Sequence, residues 1–223
     1  MIEEKDRLRL VCGNRNYSSW SLRAWLCLRK AGLDPEVRVL PMDTPEFAAR
    51  VEEVSPTRRV PVLWIGEECI WDSLAIAETI NERFAGQSLW PEDGSKRALG
   101  RCLAAEMHSG FSALRNALPM NCRARGRSVS IDDAVQADIH RIAELWTQAR
   151  EKTGSDGWLL GSWSIADAMY APVALRFRAY AVPLPVAAEA YREHWLNDAD
   201  LKEWITLAEA EPWRIDHEEV GVD

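Results

Sequence analysis

No run of apolar residues in the 223-residue chain is long enough to span a bilayer, so a helical membrane segment is not expected. There is no tract of clustered Lys and Arg, and the formal net charge is −8, which argues against a sequence-independent nucleic-acid surface. The start, MIEEKDRLRLV, lacks the apolar stretch of a signal peptide, and a cytoplasmic protein is expected. The five cysteines (Cys12, Cys27, Cys69, Cys102, Cys122) are odd in number and widely spaced, and no Cys-x-x-Cys occurs. A disulfide framework, a zinc site and disulfide reductase chemistry are therefore not indicated; buried free thiols and no metal are the expectation. Repeats and low-complexity segments are also missing, so domain organisation must be read from hydrophobic period alone.

What is present is enough apolar residue, 47% of the chain, to bury a real core. The first third alternates element types. LRLVC (Leu8 to Cys12) reads as a strand, Trp20 to Ala31 as a helix closed by Gly32, and Glu36 to Leu40 as a strand with Val37 and Val39 on one face. A helical piece from Thr44 to about Glu53 follows. Val62 to Ile65, a turn at Gly66-Glu67-Glu68 and Cys69 to Trp71 then form a hairpin, and Ser73 to Arg83 returns to helical spacing. The order βαβαββα predicts a small mixed sheet with helices on its faces. After Phe84 to Pro91 strand-like alternation disappears, and helices are expected over Ser95 to about Leu118, Ile131 to Lys152, Ile165 to about Tyr180 and Asp200 to about Glu211. The expected division is an α/β unit over 1–86, a linker over 87–94 and an all-α unit over 95–223.

Three short stretches carry chemistry. NRNYSSWSLRAW (Asn14 to Trp25) gathers three serines and a tyrosine at a helix entrance. Serine and asparagine cap helices there, but a hydroxyl beside free N–H groups at the positive helix end also stabilises an anion. RRVPVLWI (Arg58 to Ile65) puts Pro61 at a strand entrance, so Val60 is extended and presents its own N–H and C=O to a ligand, unless Pro61 only protects a sheet edge. WDSLAI (Trp71 to Ile76) places Asp72 and Ser73 where a strand becomes a helix. Both read as caps, and together they can also receive the carboxylate and ammonium of an α-amino acid.

In this order the three stretches resemble the thioredoxin-like domain of cytosolic glutathione transferases, and the likeness extends over nearly the whole chain. GSWSIADAMYAP (Gly161 to Pro172) is similar to that family's N-capping motif, with Ser164 and Asp167 forming a capping box on a buried helix. NYSSWSLR and EMHSGF resemble a bacterial branch related to the zeta and theta classes. The resemblance implies a thioredoxin-like first domain followed by an all-helical one, glutathione as co-substrate, and a homodimer, with no nucleic-acid or membrane partner. It implies a cis bond between Val60 and Pro61 that turns Val60 toward the cysteinyl part of glutathione, and the γ-glutamyl end held by Asp72 and Ser73. Arg59 either attracts the glycyl carboxylate or stands as a solvated charge.

An unperturbed thiol has a pKa of about 8.5, and each unit of lowering needs about 1.4 kcal/mol. One charge-assisted hydrogen bond, worth roughly 1.5 to 3 kcal/mol, is therefore sufficient to make glutathione nucleophilic at a helix start. Ser18 is the first choice for that hydroxyl, with Tyr17, Asn16 and Ser19 as alternatives; on the zeta-type pattern Asn16 falls where the first serine is expected, and Tyr17 can instead pack at the domain junction. For the electrophile, Met107, Phe111 and Arg115 share a helical face at i and i+4 spacing, next to His108; core packing is the competing reading for Met107 and Phe111, and a structural histidine for His108. The implied reaction is transfer of glutathione to a small hydrophobic electrophile. The alternatives are a glutathione-dependent isomerase of the maleylacetoacetate type and a non-catalytic binding or regulatory protein on the same fold.

Overall fold

The computed structural model describes residues 7–222; residues 1–6, part of the chain start read above, and Asp223 lie outside the described residues. The first part contains β1 (Leu8–Cys12), α1 (Ser19–Lys30), β2 (Glu36–Val39), α2 (Pro45–Val54), β3 (Val62–Ile65), β4 (Glu68–Trp71) and α3 (Ser73–Arg83). β1 runs parallel to β2 and antiparallel to β3, and β3 and β4 form the hairpin, giving the strand order β2-β1-β3-β4. This is the small mixed sheet that the alternation of elements implied, in agreement with the thioredoxin-like domain that the resemblance implied. Because side chains alternate along a strand, Leu10 and Cys12 of β1 enter the main core while Val11 joins Leu40, Val51 and Val62 in a smaller cluster under α2.

The remainder is mostly helical: α4 (Gly94–Ser109), α5 (Ser112–Ala117), α6 (Asp133–Thr153), α7 (Ile165–Ala179), α8 (Val186–Asn197) and α9 (Ala199–Glu209). α7 is its axis. Every residue of α7 but Arg178 is buried, and it packs against α1, α4 and α8. One continuous core therefore joins the sheet-bearing and helical parts, with α1 packed against α3, α7 and α9. Among the described residues no helix is long and apolar enough to cross a membrane.

Caps explain where the helices start. Ser18, Thr44, Asp72, Asp93, Asp132 and Asp198 each accept a backbone N–H of the first turn, and Pro45 follows Thr44, where its missing N–H costs nothing. The Ser164/Asp167 capping box is present. The Asp167 carboxylate accepts from the Ser164 N–H (2.9 Å) and hydroxyl (2.9 Å), the Leu159 N–H (3.0 Å) and the Tyr191 hydroxyl (2.9 Å).

Three expectations are corrected. The helix read as continuous from Ser95 to Leu118 breaks after Ser109: Gly110 is extended and Phe111 left-handed (φ 61°). At Gly110 a Cβ would lie 2.8 Å from the Glu106 carbonyl oxygen, and α5 restarts with its Leu114 N–H donating to Asp138 of α6 (2.9 Å). α8 was not foreseen, although its buried Ala188, Tyr191 and Trp195 stand at helical spacing. Of the cysteines, Cys12, Cys27 and Cys122 are buried, but Cys69 is half-buried and Cys102 exposed, because Cys102 lies off the Gly100, Leu103, Ala104, Met107 stripe that α4 turns inward.

Candidate functional site

Between the sheet-bearing part and α4 lies a cavity of about 530 Å³. Its floor is the approach to β3. The Val60–Pro61 bond is cis, as expected, and among the described residues neither the N–H nor the C=O of Val60 has a hydrogen-bond partner. Arg59 and Thr57 line the same side; the Arg59 N–H and C=O are tied to the Ser55 hydroxyl, which fixes the loop while leaving the Arg59 side chain exposed.

The opposite wall is the turn from β4 into α3. Asp72 adopts a positive φ of 75°, a conformation sparsely used by non-glycine residues and tolerated best by Asp and Asn. One carboxylate oxygen caps α3, accepting from the Leu74 N–H (2.8 Å) and the Ala75 N–H (3.3 Å). The other lies 3.2 Å from His108 Nε2, across the cavity on α4. Ser73 is only 1% exposed, and its hydroxyl is buried with no partner among the described residues. A buried hydroxyl without a partner is unfavourable by roughly 1 to 3 kcal/mol, a cost that a ligand's acceptor or donor would relieve.

α1 contributes Trp20 to the cavity. The indole is held between guanidiniums, Arg23 at 4.3 Å and Arg115 at 4.8 Å from the ring, and the His108 ring meets its edge at 5.3 Å. None of the four hydroxyl or amide candidates before it lines the cavity. Asn16 is fully buried, its amide donating to Asn121 and its oxygen accepting the Arg123 N–H. Tyr17 donates to Glu219 (2.5 Å) and accepts the Ile215 N–H; burial, then that carboxylate, push its phenol up. Its packing against the C-terminal segment matches the second role considered for it. The Ser19 hydroxyl stands 3.4 Å from Arg176. Ser18 is the N-cap of α1, with its hydroxyl 2.7 Å from that of Ser21, which in turn accepts the Gly13 N–H (3.1 Å).

The set grouped for the electrophile separates. His108 lines the cavity, but Met107 and Phe111 are buried in the core (0% and 7% exposed), and the break at Gly110 removes the shared helical face. Arg115 donates to the Gly110 carbonyl (2.9 Å) and to that of Met107, reaching the cavity only through Trp20. Three lining residues, Trp20, Thr57 and Trp71, were not foreseen as site residues. The signal for Trp71 was its place beside Asp72; for Trp20 the abundance of tryptophan hid it. The protein's own buried thiols are not nucleophiles, since burial pushes Cys12 and Cys122 up to about 12.

Residues 17–83 match the family model described as the glutathione S-transferase N-terminal domain. This chain carries a glutathione S-transferase N-terminal domain. Among curated proteins, glutathione S-transferase L1 of Arabidopsis thaliana is 32% identical over 90 residues, 40% of this chain and 38% of that protein. A probable maleylacetoacetate isomerase of Caenorhabditis elegans is 30% identical over 102 residues, 46% of this chain and 47% of that protein. The chain thus spans less than half the length of either relative. Among solved structures, a glutathione transferase homolog from Burkholderia GL BGR1 with bound glutathione superposes with a TM-score of 0.71 at 24% identity, covering 92% of this chain and 100% of that one. The glutathione transferase fold therefore extends beyond the matched domain into the helical part.

Proposed function

We propose that the protein is a glutathione transferase that binds glutathione in the 530 Å³ cavity and holds its sulfur as a thiolate for attack on a small hydrophobic electrophile. The observation that carries this reading is the meeting of three polar elements in one cleft: the free N–H and C=O of Val60, the hydroxyl of Ser73, which has no partner among the described residues, and the Asp72 oxygen that faces His108. They match the needs of a peptide-like ligand with an α-amino acid end. Val60 pairs with the cysteinyl amide, Asp72 accepts from the α-ammonium, Ser73 donates to the α-carboxylate, and Arg59 faces the glycyl end. The assembly is a homodimer, which sedimentation velocity tests.

Ser18 remains the hydroxyl proposed for the sulfur. Its oxygen accepts the Ser21 N–H (3.4 Å) and pairs with the Ser21 hydroxyl, so if Ser21 donates, the Ser18 proton is left for a thiolate. Asn16 and Tyr17 have their polar atoms committed elsewhere. Ser18→Ala is expected to raise the pKa of bound glutathione by about one unit and to lower kcat/KM roughly tenfold, about 1.4 kcal/mol. Thiolate absorbance against pH measures it, and an unchanged titration removes Ser18 from the role.

The similarity to a probable maleylacetoacetate isomerase supports a second reading, in which the thiolate adds, a double bond rotates and the thiol leaves unchanged. Product analysis separates the two, since glutathione is consumed by transfer and recovered after isomerisation. Retention on immobilised glutathione without turnover of either kind would instead favour a binding protein.

A further inference from the structure

Arg23 and Arg115 pack on Trp20, which lines the cavity, and Arg176 joins them through the Arg115 carbonyl. Arg23 of α1 is 1% exposed and donates from Nε to the Met169 carbonyl (3.0 Å), while its Nη1 is buried with no partner among the described residues. Arg176 of α7 donates to the carbonyls of Arg115 (3.2 Å) and Leu118 and reaches Ser19. Arg115 of α5 is held by carbonyls as well. Among the described residues none of the three forms an ion pair. Of the carboxylates nearest in influence, Asp72 is engaged with His108 and the α3 N–H groups and Asp138 with the Leu114 N–H, while Glu218 acts on Arg176 without forming an ion pair with it. The hydroxyl of Tyr170, on α7 next to Met169 and within electrostatic reach of Arg23 and Arg115, is also buried without a partner among the described residues.

Buried cations are normally paired, because carbonyl oxygens and an indole face offset only part of the lost hydration. Here the shortage of negative charge shows as mutual depression: burial and the neighbouring guanidiniums push Arg23 well below its ordinary value and Arg176 down to about 10. Burial pushes the Tyr170 phenol up, so it keeps its proton and remains a donor. Two buried donors without a partner among the described residues thus lie in a neighbourhood of excess positive charge, and Arg23 and Arg115 both reach the ring of Trp20, which lines the cavity.

We propose that this cluster is a binding site for a small organic anion, a carboxylate or a group of its size, carried on the molecule that enters the cavity beside glutathione. Arg23 Nη1 and the Tyr170 hydroxyl bind the anion, Arg115 adds charge, and Trp20 stacks on the carrier's apolar body. The site stands on the geometry alone; the identity of its carrier as the electrophile rests on the transferase reading.

Benzoate and benzamide, titrated calorimetrically at constant ionic strength, test the site without turnover. Saturable binding of benzoate at least tenfold tighter than benzamide is expected. Tyr170→Phe should weaken benzoate at least threefold without lowering the melting temperature of the free protein, since that hydroxyl has no partner to lose. Arg115→Gln should weaken it further. Equal binding of the two probes, or benzoate affinity unchanged in Tyr170→Phe, overturns the site. The carrier is tested with glutathione and 4-chloro-3-nitrobenzoate against its methyl ester, where the thiolate forms a C–S bond and chloride leaves. A preference of at least tenfold in kcat/KM for the carboxylate, after correction for uncatalysed rates, supports the electrophile as carrier. Equal values with benzoate binding intact overturn that carrier and support a free anion as occupant; no turnover with either compound counts against the transferase reading and leaves the benzoate result standing.

Discussion

Asp167→Asn is expected to cost about 3 to 5 kcal/mol of unfolding free energy at neutral pH, the largest stability loss foreseen for a single isosteric change. The carboxylate lies fully buried and accepts four hydrogen bonds, two at each oxygen, tying α7 to Leu159 and through Tyr191 to α8. An amide offers one oxygen and one donor nitrogen, so whichever way it sits, one backbone N–H faces amide hydrogens and the hydroxyl beside it must turn round to accept. Each unsatisfied donor is unfavourable by roughly 1 to 3 kcal/mol. Burial is the main influence on Asp167 and pushes it up from 3.8 to about 6, against the lowering effect of its four partners. A carboxyl raised by folding contributes stability that is fully present below its unfolded value and is lost as pH rises through the folded one. Asparagine does not titrate, so the gap between wild type and variant should be widest below about pH 4 and shrink up to about pH 6. Urea unfolding of both proteins across that range reads the slope directly. A gap that widens with pH would mean that the four hydrogen bonds outweigh burial.

Asp72→Ala should weaken glutathione binding about 10- to 100-fold, the equivalent of one charge-assisted hydrogen bond of roughly 1.5 to 3 kcal/mol. The same change removes the α3 cap, at about 1 kcal/mol of stability. A loss of fold and a loss of ligand contact are separated by the ligand itself: an analogue of glutathione without the α-amino group should bind wild type and variant with nearly equal affinity. If the variant discriminates against both ligands to the same degree, Asp72 acts only as a cap. His108, 3.2 Å from the same carboxylate, is the group that an arriving ammonium must share it with.

The sheet was legible because its signals are local. β-branched alternation in Glu36 to Val39, the Gly66-Glu67 turn and the proline before Val62 each act within a few residues. For the same reason Val60, Asp72 and Ser73 could be singled out, since a cis proline and a strand-to-helix turn are short-range devices. The break at Gly110 was not legible, because the apolar period runs on through Met107 and Phe111 while the interruption is stabilised from α6 by Asp138. Likewise the partners that occupy Asn16, Tyr17 and Ser19 are Asn121, Glu219 and Arg176, more than a hundred residues away in each case. Hydroxyl-rich composition at a helix entrance marked the neighbourhood, and only the tertiary fold showed which of those groups remain uncommitted. Trp20 shows the converse, a residue type common in cores that here lines the cleft and packs against Arg23 and Arg115.

The central claim is that glutathione seats its γ-glutamyl end on the Asp72-Ser73 turn, and calorimetric titration of glutathione into wild type and Ser73→Ala tests it most directly. The Ser73 hydroxyl has no partner among the described residues, so the variant should unfold at an unchanged or slightly higher urea concentration while binding glutathione about tenfold more weakly, a difference of about 1.4 kcal/mol. Equal affinity in the two proteins, or no heat of binding in the wild type at millimolar glutathione, would contradict it.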